Sequence, residues 1–176
     1  MKKIVLSLLM AITGACAVAQ YKPVDNGSSV QFKIKNFGVN TGGSFSGLQG
    51  DIKFDGNHLE DAVVDVSIDA NTVNTGNETR DNHLRGETYF DVQHFPRIHF
   101  VSSKVTAAVG ASSIVSGKLT IKNKTKDISF PFTAVATAEG YLFKGTFVIN
   151  RREFGVGSTS VISDNLEVQL SVLAKK

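Results

Sequence analysis

The chain alternates. Residues 28–37 (SSVQFKIKNF) put Val30, Phe32 and Ile34 on one side and Gln31, Lys33 and Lys35 on the other. That period of two is the mark of a strand with one dry face. The rhythm returns in residues 44–54 with Phe45, Ile52 and Phe54, and in 62–69 with Val64, Val66 and Ile68 opposite Asp65, Ser67 and Asp69. Residues 97–105 carry Ile98 and Phe100 in phase, while 113–122 and 126–137 set Leu119 and Ile121 against Ile128, Phe130 and Phe132. Residues 141–151 and 165–174 follow, the last with Leu166, Val168, Leu170 and Val172 along one side. Turn residues separate these segments: Gly42-Gly43, Asp55-Gly56-Asn57, Asn123-Lys124 and Glu139-Gly140. Gly47 and Gly50 predict a bulge inside the second segment, and Pro131 predicts an outward-facing edge or bulged position.

One stretch breaks the pattern. Residues 77–100 read NETRDNHLRGETYFDVQHFPRIHF, a short polar helix followed by an aromatic loop. Asn77 suits the helix N-cap, Glu78 and Asp81 its positive end, and Gly86 its stop. Asp81 and Arg85 stand four apart, the spacing of a helical ion pair. Eight strands and one short helix, with no repeat and no linker, predict an all-β domain. An eight-stranded antiparallel barrel is the expected form, with room inside for side chains or one slim ligand. A sandwich of two sheets is the competing architecture.

The first residues add a destination. Lys2 and Lys3, the apolar run from Ile4 to Ile12 and the small residues Ala17-Val18-Ala19 read as a secretory signal peptide over residues 1–19. The domain would then be 20–176 and the location periplasmic. Lipidation at Cys16, the chain's single cysteine, is the rival reading of this segment. Cleavage would leave no cysteine, hence no disulfide or thiol nucleophile. It would also leave 17 Lys and Arg against 16 Asp and Glu, a net charge near +1. Such a balance argues against nucleic acid as a partner. No later segment is apolar for long enough to cross a membrane as a helix.

Catalytic and metal motifs are missing from the sequence. His58, His83, His94 and His99 form no H-x-H or H-x-x-x-H pair, so no metal or other cofactor is expected. There is no G-x-S-x-G, phosphate loop or dinucleotide fingerprint, and Asp65 and Asp69 fall on an outward face. The expectation is a protein that is not an enzyme. Apolar surplus remains, with twelve Phe and no Trp. The inward faces either fill the barrel as a packed core or line a tunnel for a long apolar ligand. The alternation nominates Phe32, Ile34, Val66, Phe100, Phe130, Phe132, Phe147, Leu166, Val168 and Leu170 as lumen residues.

The ordered motifs resemble the YceI-like polyisoprenoid-binding family. They are Arg80-Asp81-x-His83-Leu84-Arg85, Tyr89-Phe90-Asp91, Phe95-Pro96, Ile98-x-Phe100, Gly117-x-Leu119-Thr120-Ile121-Lys122 and Asn150-Arg151-x-Glu153-Phe154-Gly155. Gly86, Tyr89 and Asn123 depart from the usual pattern, and Asn123 is expected to take the left-handed conformation of its turn. The resemblance implies a lipocalin-like barrel that binds a long isoprenoid, such as a polyprenyl chain or quinone tail, without catalysis. It implies a mouth built from His83, Leu84, Arg85, Phe90, Arg151 and Phe154, with Arg85 or Arg151 near the ligand's head. An architectural role is equally open: Arg85 on Asp81, Arg151 on Glu153 or a backbone carbonyl. A filled structural or stress-response barrel that binds a protein partner is the alternative function, and a homodimer is compatible with either.

Overall fold

The computed structural model describes residues 19–110, 112–158 and 162–176. The signal-peptide segment and Cys16 therefore lie outside the described residues, apart from Ala19. Eight strands run in chain order: β1 (Gln20–Asn36), β2 (Val39–Lys53), β3 (Val63–Asn74), β4 (Arg97–Ala107), β5 (Ser112–Ile121), β6 (Lys124–Ala136), β7 (Gly140–Asn150) and β8 (Ile162–Lys175). Helix α1 (Glu78–Arg85) lies between β3 and β4, and 3₁₀ turns occupy Leu59–Asp61 and Arg151–Phe154. Each strand pairs antiparallel with its neighbour, and β8 returns to β1, so the sheet closes into a barrel. The barrel prevails over the sandwich.

Several strands outrun their alternation. β1 begins at Gln20 rather than near Ser28, because its register against β2 shifts between Tyr21 and Val30 and hides the early phase. β3 continues to Asn74, past the point where its valines and isoleucine stop alternating. The bulge expected in β2 is present: its register against β3 shifts between Ser46 and Gln49. Gly50 sits there at φ 129°, where an added Cβ would lie 2.1 Å from the Asp65 carbonyl oxygen, so only glycine fits. The β5–β6 turn corrects one expectation, since its left-handed residue is Lys122 at φ 55° and not Asn123.

Two ladders are short. β3 pairs with β4 only through residues 65–69 against 97–101, because α1 and its loop carry the chain away. β6 pairs with β7 only through 132–136 against 141–145. Pro131, which has no N–H to give, stands where that second ladder ends.

The two ends of the barrel differ. At the end holding the β4–β5 and β6–β7 loops, Phe54 packs edge-on against Tyr141 (5.1 Å) and Phe143 (5.2 Å), and Tyr21 against Tyr141 (5.3 Å). Such edge-to-face pairs fill the interior there. The opposite end holds the β1–β2 turn, α1 and the Arg151–Phe154 turn. There Phe154 and Val156 pack with Leu119, Ile121 and Ile149 in a second buried cluster.

Candidate functional site: a capped apolar lumen

Helix α1 is held to the barrel rim by a small polar network. The Asn77 side chain accepts from the Arg80 N–H at 3.0 Å, capping the first turn. Asp81, only 6% exposed, accepts from the Thr75 backbone N–H at 2.9 Å and from the Thr75 hydroxyl. Arg80 donates Nε to the Thr75 hydroxyl at 2.7 Å and Nη2 to the Thr75 carbonyl at 2.8 Å. The expected Asp81–Arg85 pair does not form. Arg85 instead donates to the carbonyls of Asn71 (2.8 Å) and Val73 (3.2 Å) and to Asn82 Oδ1 (2.8 Å). Asp81 is taken up by Thr75 at the end of β3, and Arg85 satisfies carbonyls along that same strand.

The second brace is Arg151, 3% exposed. It donates to the carbonyls of Val156 (2.8 Å), Ser163 (3.0 Å) and Ile162 (3.2 Å), with Asp164 Oδ1 at 3.3 Å. A planar fork of donors suits carbonyls converging from several directions. Of the roles open to Arg151, the backbone-carbonyl one is realised. Asn150 caps the turn by accepting from Arg152 N–H at 2.9 Å, and Gly155 ends it at φ 67°.

Between these braces and the aromatic end lies a cavity of about 280 Å³, close to the lower limit of ordinary small-molecule pockets, about 300 Å³. All ten nominated lumen residues line it: Phe32, Ile34, Val66, Phe100, Phe130, Phe132, Phe147, Leu166, Val168 and Leu170. Phe130 and Phe147 stack at 4.3 Å within it, and Phe100 leans on Phe130 at 5.8 Å. The six mouth residues divide. Leu84, Phe90 and Arg151 line the cavity, and Phe90 meets Phe45 edge-on at 5.3 Å. His83 stands on the exposed side of α1 against Tyr89 at 5.0 Å. Arg85 is occupied by β3, and Phe154 is buried in the wall.

Sequence reasoning missed the polar groups that do reach the lumen. Asn36, Thr41, Thr75 and Arg80 all line it. For Asn36 the signal was available, since it continues the phase of Val30, Phe32 and Ile34. Among the described residues no group of His, Cys, Asp and Glu could hold a metal ion. The groups with displaced pKa values lie outside the site. His58 is held above the ordinary histidine value by its hydrogen bond to Asp55. Asp55 is lowered first by the Asn57 backbone N–H and then by His58. No helix among the described residues is long and apolar enough to cross a membrane.

Comparison with known proteins places this geometry. Residues 21–174 match the family model described as the YceI-like domain. A curated UPF0312 protein of Yersinia pestis is 33% identical over 127 residues, which span 70% of this chain and 66% of that protein's length. Among solved structures, BcnA of Burkholderia cenocepacia superposes with a TM-score of 0.79 at 27% identity, covering 85% of this chain and 96% of that one. A polyisoprenoid-binding domain of Saccharophagus degradans superposes with a TM-score of 0.70 at 18% identity, covering 90% and 99%, and shares the fold. With the family match running from the first strand to the last, this chain belongs to the YceI-like domain family.

Proposed function

We propose that this protein is an exported binding protein that holds one long-chain isoprenoid or similar amphiphilic lipid in its barrel lumen. A polyprenyl chain and a quinone tail are the kinds of ligand meant, and the role is carriage or storage without catalysis. One observation carries the reading: an apolar cavity runs between an aromatic-filled end and a mouth that gathers the polar side chains. An apolar chain gains roughly 0.8 kcal/mol for each buried methylene, and polar groups at one end orient it. The polyisoprenoid-binding name of the Saccharophagus neighbour supports the ligand class. The amino-terminal segment supports export to the periplasm.

Organic extraction and native mass spectrometry of the purified protein test this. One copurifying long-chain lipid per chain is the expected result. A lipid-free protein whose unfolding temperature ignores added prenols and quinones overturns the reading. In that case a protein partner captured on the outer surface would favour the filled structural barrel.

A further inference from the structure

Strand β1 turns into β2 through Phe37 and Gly38, since Asn36 pairs directly with Val39. Both turn residues have positive φ, 49° and 77°, the pattern of a type I′ hairpin turn, which favours Asn-Gly. Of the non-glycine residues with positive φ among those described, Phe37, Asp91 and Lys122, only Phe37 is apolar. A bulky side chain is strained in that region. Packing does not offset the strain, because Phe37 is 76% exposed. A local rule broken with no compensating contact inside the fold points to a contact outside it.

The surroundings say what that contact is. Val39 is 67% exposed and continues the inward phase of Thr41 and Phe45, which line the lumen. The tip thus carries the apolar lining outward past the rim, at the end that holds α1 and the Arg151–Phe154 turn. From Asn26 to Gly50 the hairpin bears Lys33 and Lys35, both exposed, and no acidic residue. Glu167 lies beside Lys33 on β8, whereas Lys35, nearer the tip, has Asn40 across from it. An apolar point above two lysines fits the interface of an anionic bilayer, where a ring enters the acyl boundary and ammonium groups meet lipid phosphates.

We propose that the β1–β2 tip inserts Phe37 and Val39 into an anionic lipid surface and so sets the lumen mouth against the bilayer. This rests on the lipid-binding reading above and adds where the cargo is exchanged. A long apolar chain then passes between bilayer and lumen without crossing water. Docking governs the rate of exchange, and the lumen governs what is held.

The chain has no Trp, so a single introduced Trp reports its own surroundings. Phe37→Trp is compared with Val109→Trp, which probes an apolar residue 98% exposed in the loop at the other end of the barrel. The probes are vesicles of phosphatidylcholine with and without phosphatidylglycerol. Emission from Phe37→Trp is expected to move to the blue, more so with phosphatidylglycerol, and to be quenched by lipids brominated on their acyl chains. Val109→Trp is expected to do neither. Phe37→Asn supplies the residue that the turn favours, so its unfolding temperature is expected to hold or rise. Its partition onto the anionic vesicles is expected to fall about tenfold relative to wild type, with its affinity for farnesol in solution unchanged. Equal responses of the two reporters, a shift indifferent to phosphatidylglycerol, or undiminished partition of Phe37→Asn overturn the proposal while leaving lumen binding intact. A blue shift that needs no vesicles and grows with protein concentration also overturns it, in favour of a second copy of the chain on the tip. If the reporter is quenched but neither extraction nor farnesol shows a ligand in the lumen, the docking stands and the lipid-binding reading falls.

Discussion

Asp81 and Thr75 hold each other twice: one carboxylate oxygen accepts both the backbone N–H and the hydroxyl of Thr75. The bond ties α1 to the end of β3 and brings Arg80, which shares the same hydroxyl, to the cavity. Asp81→Ala leaves the Thr75 N–H with no acceptor in a half-buried place. A loss of about 1–3 kcal/mol in unfolding free energy is expected, together with faster amide exchange in α1. Urea titration and hydrogen exchange measure the two. An unchanged midpoint with α1 still protected would remove Asp81 from this role.

Arg151 predicts a larger effect. Its guanidinium reaches the carbonyls of Val156, Ser158, Ile162 and Ser163 and thereby ties the residues after the 3₁₀ turn to the start of β8. Arg151→Met removes a buried donor set and strands those carbonyls. A loss of about 3 kcal/mol or more is expected. Arg151→Lys should recover little of it, since an ammonium lacks the planar fork. Thermal unfolding followed by circular dichroism decides, and full recovery by lysine would contradict the geometry.

The lumen can be closed without harming the shell. Leu166 is half-buried and lines the cavity, so a larger ring at that position extends into open space. Leu166→Trp is expected to cost about 1–3 kcal/mol of stability, as small-to-large core changes do, leaving the protein folded yet abolishing lipid retention. The outward change Lys33→Glu should leave retention intact. Lipid content after extraction is the measurement, and equal retention in both variants would dissociate ligand binding from the cavity.

His58 offers a test of electrostatics at the other end of the barrel. The Asp55 carboxylate 3.0 Å away raises the His58 pKa above its ordinary 6.5. A raised folded value means the pair stabilises the fold fully below about pH 6.5 and loses that contribution as pH climbs through the folded pKa. His58 is exposed and Asp55 only half-buried, so the effect on stability is small. NMR titration of the imidazole should place its midpoint above that of a free histidine, and Asp55→Asn should bring it back. A midpoint indifferent to Asp55→Asn would show that the contact does not hold in solution.

The lumen was legible in the sequence because alternation states directly which side chains point inward. Every inward residue nominated from Phe32 to Leu170 follows that single rule. The cap was harder to read. Arg80 and Arg85 lie five residues apart on one helix, about 140° around its axis, and the sequence alone does not say which side meets the barrel. That choice depends on Asp81 finding Thr75, a contact between a helix and the strand before it that no spacing rule encodes. Asn36 continues the phase of Val30, Phe32 and Ile34, but its polar side chain adds no apolar signal to mark it as inward. The early half of β1 stayed hidden because a register shift erases the period of two.

The two short ladders, 65–69 with 97–101 and 132–136 with 141–145, divide the wall unevenly. On one side β7, β8, β1, β2 and β3 form a sheet with long ladders, and on the other β4, β5 and β6 form a second. The closed wall is therefore joined least along two lines, where a strain on the barrel is expected to part hydrogen bonds before it does so in the longer ladders.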